Sequence, residues 1–267
     1  MHEFKNAKRI VVKVGTSTLT YESGLINIRR LERLVTVLSD LANSGLEIVL
    51  VSSGAIAVGV GKLGMRSRPS EIALRQAAAS VGQCELMHLY DRYFSQFHHK
   101  VAQLLLTRDV VDDPNRRQNT VNTFGALFEL GAIPIVNEND TVSTAELEGG
   151  DSFGDNDRLS SLVATLIDAD GLIILSDING LYTANPTTNP DATLIPWVEK
   201  IDDALMACAT GSGTNRGTGG MATKLQAAKL VTGKGIPMAI VNGKDPENLY
   251  WVLEGRPVGT VFIGQRS

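Results

Sequence analysis

Short apolar runs alternate along the chain with longer stretches whose apolar residues recur every three or four positions. Ile10–Val14, Glu47–Ser52, Val101–Leu106, Ile133–Val136, Leu172–Leu175, Pro237–Val241 and Gly259–Ile263 read as strands. Between them, Ile28–Asn43 carries Leu31, Leu34, Val35, Leu38 and Leu41 at helical spacing and stops before Gly45. Pro69–Phe97 reads as one long helix or two. Arg117–Leu130 reads as a helix closed by Gly131, and Asn156–Ile167, Met221–Lys234 and Pro246–Glu254 as three more. Strands rich in Val, Ile and Leu and bounded by helices predict an α/β fold. Its sheet is mainly parallel and covered on both faces. No low-complexity linker and no internal repeat interrupts the pattern.

Composition narrows the function classes. The chain has 267 residues, a net charge of −4 and 43% hydrophobic residues, enough for a sizeable core. A near-neutral balance argues against a nucleic-acid protein or a basic membrane-surface protein. Two distant cysteines, Cys84 and Cys208, make neither a disulfide framework nor a zinc pattern. The N-terminus runs into a strand without a signal-type apolar region, and no apolar run approaches a membrane span. A soluble, cytoplasmic protein is expected.

In a parallel sheet, ligands bind beyond the carboxyl ends of the strands, so the segments after each strand matter most. Lys13 stands one residue from the end of the first strand and is followed by Gly15-Thr16-Ser17. A charge placed there needs a partner or water; it either snorkels past the strand end or reaches a phosphate. Ser52-Ser53-Gly54 follows the second strand and opens a helix, as a second anion pocket or as an ordinary serine cap. Asn137-Glu138-Asn139-Asp140 puts acidic groups where a substrate ammonium would lie, or forms a plain turn. Asp157 opens the next helix and either caps it or holds Lys13 and Lys224 in place. Ser176-Asp177, then Asn179-Gly180-Leu181-Tyr182, suit a ribose and base or a turn.

The most informative segment is Gly217-Thr218-Gly219-Gly220-Met221-Ala222-Thr223-Lys224. Glycines let backbone N–H groups approach a ligand, a helix N-terminus adds a positive dipole end, and a lysine follows. That combination suits a polyphosphate. Two other patterns are decoys. Gly59-Val60-Gly61-Lys62-Leu63-Gly64 matches the dinucleotide pattern but starts too far past its strand. His2, His88, His98 and His99 show no metal-ligand spacing, and there is no Walker A sequence.

The strings Val11–Ser17, Ser52–Ala57, Leu106–Arg108, Val136–Asp140, Gly154–Asp157, Gly180–Thr183 and Gly217–Lys224 run in one order over nearly the whole chain. In that order they resemble the glutamate 5-kinase family of the amino acid kinase superfamily. The resemblance implies a three-layer α/β/α sandwich in a single domain over residues 1–267. Its N-terminal part would bind glutamate and its part from about residue 170 would bind ATP. It implies ATP-dependent phosphorylation of the L-glutamate side-chain carboxylate, the first step of proline synthesis. Lys13, Asp157 and Lys224 would be catalytic. Ser53, Gly54, Asp140 and Asn156 would bind glutamate. Lys13, Gly15, Ser176, Asp177, Thr218, Gly219, Gly220, Met221, Ala222, Thr223 and Lys224 would bind the nucleotide. Mg²⁺ would arrive with ATP, with no metal site of the protein's own. Proline would inhibit by feedback, and glutamyl-phosphate reductase would take the product. The chain would form a dimer or tetramer with Pro69–Phe97 as a candidate interface, and would bind neither nucleic acid nor membrane.

Two departures from the family pattern stand out. The chain ends at Ser267 and resembles the short form, without a PUA domain. The loop 146–153 is longer than in some relatives and lies near the implied glutamate site. Two alternatives remain: a kinase of the same fold for another small acid, and a nucleotide- or oxyanion-binding protein without catalysis.

Overall fold

A computed structural model describes residues 3–142, 156–203, 205–206 and 220–265. In chain order the elements are β1 (Arg9–Val14), α1 (Thr16–Leu19), α2 (Ile28–Asn43), β2 (Glu47–Ser52), α3 (Ala55–Lys62), α4 (Ile72–Phe94), β3 (Lys100–Leu106), α5 (Asp109–Asp112) and α6 (Pro114–Glu129). There follow β4 (Ala132–Glu138), α7 (Asn156–Leu166), β5 (Gly171–Ser176), β6 (Trp197–Val198), α8 (Met221–Thr232), β7 (Met238–Asn242), α9 (Asn248–Leu253) and β8 (Thr260–Phe262). The chain divides into two compact units. One is discontinuous and joins Met1–Lys13 to Gly154–Ser267; the other is continuous, Val14–Phe153.

In the discontinuous unit the strand order is β1-β5-β7-β8-β6. β5 and β7 run parallel, from Leu172↔Met238 to Ser176↔Asn242. β8 is antiparallel to β7 and parallel to β6. All six residues of β5 are buried, so both its faces are covered, as an α/β/α layering requires. The register of β1 is fixed by polar groups. The Asp170 carboxylate accepts the backbone N–H groups of Lys8 (2.7 Å) and Arg9 (2.9 Å). The Arg9 guanidinium in turn donates to the Ile167 carbonyl at 2.6 Å. Pinning Arg9 sets where Lys13, four residues on, leaves the strand.

In the continuous unit β3, β4 and β2 are parallel, with Val101↔Ile133 and Val51↔Val136 among the paired residues. α3 and α4 cross with their backbones almost touching. A Cβ on Gly59 would lie 1.8 Å from the Ala78 carbonyl oxygen, and one on Gly82 would lie 1.8 Å from that of Ala55. Gly59 and Gly61 therefore sit inside a helix, and Gly59 serves helix packing rather than a cofactor turn.

The expected α/β class and mainly parallel sheet are present. Helix Ile28–Asn43 and strand Glu47–Ser52 have the bounds that periodicity gave. β4 runs on through Asn137 and Glu138, two residues past the end that the apolar run predicts. α1, α5 and the two-residue β6 left no periodic trace, being too short to repeat one.

Candidate active site

Lys13 lies on a strand whose flanking residues Val12 and Val14 are wholly buried, and its own side chain is buried too. Alternation along the strand sends it to the face opposite its valine neighbours. Asp157 is the second residue of α7, without exposed surface, where the positive helix end favours a carboxylate. Lys224 is the fourth residue of α8, also buried. α7 and α8 pack on each other, which brings their first turns together.

The three side chains meet. Lys13 Nζ is 2.6 Å from Asp157 Oδ1, and Lys224 Nζ donates to Asp157 Oδ2 at 3.1 Å. Thr223 Oγ1 lies 3.1 Å from the same Oδ2 and 2.8 Å from the Gly220 carbonyl, and its one proton serves either acceptor. Burying charge is costly unless it is paired with good geometry, and one carboxylate here meets two ammonium groups through different oxygens. The three side chains together carry one net positive charge. They hold both ammonium groups at fixed positions beside the first turn of α8, whose N–H groups form an anion site of their own.

Ser176 and Asp177 stand at the carboxyl end of β5. Ser176 Oγ donates to Asp177 Oδ1 at 3.2 Å, and the Ser176 carbonyl accepts Gly243 N–H at 2.7 Å. The segment that follows is held by residues that sequence reasoning passed over. Asn242 Nδ2 donates to Asn179 Oδ1 at 2.7 Å. Thr260, fully buried, accepts Leu181 N–H at 2.8 Å and donates to the Ile195 carbonyl at 2.6 Å. A side chain at Gly180 would strike Thr260 Oγ1, since a Cβ there would lie 2.6 Å away.

In the continuous unit, Gly15 caps α1 and Gly54 caps α3. Gly54 has φ +96°, the left-handed region that other residues avoid. Ser53 lies between Gly54 and Ser52, the buried last residue of β2. Asn139 N–H is held by the Leu106 carbonyl at 2.9 Å, which fixes the turn carrying half-buried Asp140. Two hydrogen bonds to α4 were not anticipated: Ser52 Oγ to Tyr90 Oη at 2.8 Å, and Asn137 Nδ2 to Gln83 Oε1 at 2.9 Å. The signal that could have found them is the seven-residue spacing of Gln83 and Tyr90, two helical turns.

Asn156 is the first residue of α7, directly before Asp157. Gly220 caps α8, and Met221, Ala222 and Thr223 form its first turn with Lys224. Thr218, Gly219 and the loop 146–153 lie outside the described residues. Among the described residues no group of three His, Cys, Asp or Glu side chains is gathered in a way that would hold a metal. No described helix is long and apolar enough to cross a membrane.

The profile of the Amino acid kinase family matches residues 8–242. The glutamate 5-kinase of Clostridium perfringens is 53% identical over 263 residues, covering 98% of both chains. That of Listeria innocua is 51% identical over 98% of this chain and 95% of its own. The Enterococcus faecalis enzyme is 48% identical over 98% and 97%. Among solved structures, the UMP kinase of Bacillus anthracis aligns with a TM-score of 0.62 at 16% identity, covering 97% of each chain. An isopentenyl phosphate kinase in its substrate complex aligns with 0.66 at 15% identity, over 96% of this chain and 99% of its own. The solved structures establish the shared fold, and the family profile and the near-full-length relatives establish descent: the chain belongs to the amino acid kinase family and, within it, to the glutamate 5-kinases.

Proposed function

We propose that this chain moves the γ-phosphoryl group of ATP to the side-chain carboxylate of L-glutamate, giving L-glutamyl 5-phosphate for proline synthesis. The observation that carries the mechanism is the buried Lys13–Asp157–Lys224 cluster. The acceptor needs no general base, because a carboxylate with a reference pKa of about 4 is already ionised at neutral pH. The difficulty is to bring two anions together in line, so the work is alignment and charge stabilisation. Lys13 and Lys224 supply that charge. Asp157 holds them at fixed positions, so neither has to reorganise as charge develops on the phosphoryl oxygens.

Gly15, Ser176, Asp177 and the segment Thr218 to Lys224 hold the nucleotide, the last through backbone N–H groups. Ser53, Gly54, Asp140 and Asn156 hold the acceptor, with Asp140 matched to its ammonium. Mg²⁺ neutralises nucleotide phosphates when bound; it keeps several waters and needs few protein ligands, so arrival with ATP suits a chain whose central carboxylate is engaged by two lysines. The same reading includes a homo-oligomer working in the cytoplasm, a reductase that consumes the product, and inhibition by proline. Proline shares glutamate's α-carboxylate and amine.

Trapping the product with hydroxylamine tests the proposal. L-glutamate, ATP and Mg²⁺ give the hydroxamate; N-acetylglutamate and aspartate give none, and proline lowers the signal in a way that excess glutamate restores. Signal from another acid moves the substrate assignment, and silence with every acid from folded, ATP-binding protein overturns the kinase assignment. UMP and isopentenyl phosphate are run beside the acids with ADP release as the readout, since their products carry no acyl group for hydroxylamine to trap, because the solved structures of this fold include kinases named for them.

A further inference from the structure

Helix α4 carries two polar side chains that no role in the chemistry explains. Tyr90 is completely buried, and its hydroxyl meets Ser52 Oγ at 2.8 Å. Ser52 Oγ lies 3.4 Å from the Ser53 carbonyl. Either hydroxyl can be the donor between Tyr90 and Ser52, and when Tyr90 donates, the Ser52 proton is left for the Ser53 carbonyl. Burial pushes the Tyr90 phenol up, which outweighs the opposite effect of the Ser52 bond, so it stays protonated. Seven residues earlier on the same helical face, Gln83 Oε1 accepts Asn137 Nδ2 at 2.9 Å. Asn137 Oδ1 accepts the N–H of Glu138 at 2.9 Å.

These two contacts act at neighbouring points. β2 and β4 pair at Val51↔Val136, and the next residues of the two strands are Ser52 and Asn137. One helix face therefore grips both strand ends immediately before they become the acceptor segments, Ser53-Gly54 on one side and Asn139-Asp140 on the other. We propose that Tyr90 and Gln83 are positioning residues that set the separation and orientation of these two segments. They tune affinity for the acceptor amino acid without touching it. The inference rests on the assignment of Ser53, Gly54 and Asp140 to the acceptor.

Steady-state kinetics of the full chain test it, with KM for L-glutamate and for ATP measured separately for Tyr90→Phe, Gln83→Leu, Gln83→Glu and Asp140→Asn. Tyr90→Phe keeps the ring and deletes one neutral hydrogen bond, as Gln83→Leu does, and each is expected to raise KM for glutamate roughly three- to tenfold. KM for ATP stays within about twofold by the same reasoning. Gln83→Glu keeps an acceptor for Asn137 and restores KM for glutamate, which a merely structural loss of packing would not do. Gln83 is half-buried rather than core, so the Gln83 pair stands as a test even if Tyr90→Phe unfolds. If Asp140→Asn raises KM for glutamate while Tyr90→Phe and Gln83→Leu leave it unchanged, the positioning role is wrong and the acceptor assignment survives. Equal rises in both KM values also refute the positioning role. If Asp140→Asn itself leaves KM for glutamate unchanged, the acceptor assignment fails and takes the inference with it.

Discussion

The discontinuous unit organises its functional groups with charge, and the continuous unit organises its own with neutral hydrogen bonds. In the first, two ammonium groups meet one carboxylate out of water, at 2.6 and 3.1 Å. In the second, a tyrosine hydroxyl and a glutamine amide hold two strand ends. On the proposed site assignment, the difference matches two tasks. Charge that builds up only during phosphoryl transfer needs fixed countercharge, and interactions realised in the transition state raise kcat. A ground-state amino acid needs correctly spaced donors and acceptors, and neutral groups supply these at a smaller desolvation cost. Damage to the charged cluster should therefore fall on kcat and on stability, and damage to the neutral network on KM.

The largest effect is expected at Asp157. Asp157→Ala leaves Lys13 and Lys224 buried without the carboxylate they share and should cost about 3–5 kcal/mol of stability, the range for breaking a buried ion pair from one side. Denaturant titration measures it; a loss within 1 kcal/mol would mean that the lysines relax into water and that the cluster is not rigid. Next come Lys13→Ala and Lys224→Ala, each expected to lower kcat by roughly 10²–10³, the scale for losing one preorganised transition-state donor. If both variants raise KM and leave kcat intact, the lysines serve uniform binding and the contrast between the units collapses. The smallest effect is expected at Gly54, whose φ is +96°. Gly54→Ala should cost about 1–2 kcal/mol, from the backbone penalty alone. The nearest atom to an added Cβ is a Thr16 methyl carbon 3.5 Å away, an ordinary contact. Thermal unfolding reads that cost, and a rise in KM for glutamate with KM for ATP held would sharpen the comparison.

The sequence revealed the charged cluster more fully than the neutral network. Lysine near the end of a buried strand is conspicuous because the environment is wrong for it, and an aspartate opening a helix offers an obvious partner. Glycines beside Lys224 added a third mark. Ser52, Asn137, Gln83 and Tyr90 are each unremarkable where they stand. Their meaning comes from α4 lying along two strand ends, and no local pattern encodes that contact between elements distant in sequence. Thr260 is similar: it is separated by 79 positions from the N–H it satisfies. Long elements were legible because periodicity repeats over several turns. α1, α5 and β6 were not, because two to four residues cannot establish a period. The end of β4 is not legible in the sequence because Asn137 and Glu138 have turn chemistry while pairing partners on β3, Leu105 and Leu106, hold them extended.

The split of the chain also bears on how the molecule comes into being. Lys13 leaves the ribosome early, and Asp157 and Lys224 follow only after the whole of Val14–Phe153 has been made. At about 5–20 residues per second, the interval between Lys13 and Lys224 is roughly 10–40 s. Until Asp157 is made, the first strand lacks the carboxylate that receives its ammonium group, and by then every strand and helix of the continuous segment has been synthesised. Nascent chains therefore pass through a stage in which Val14–Phe153 is complete and the Lys13–Asp157–Lys224 cluster cannot yet form. The cluster is completed last, when Lys224 is made.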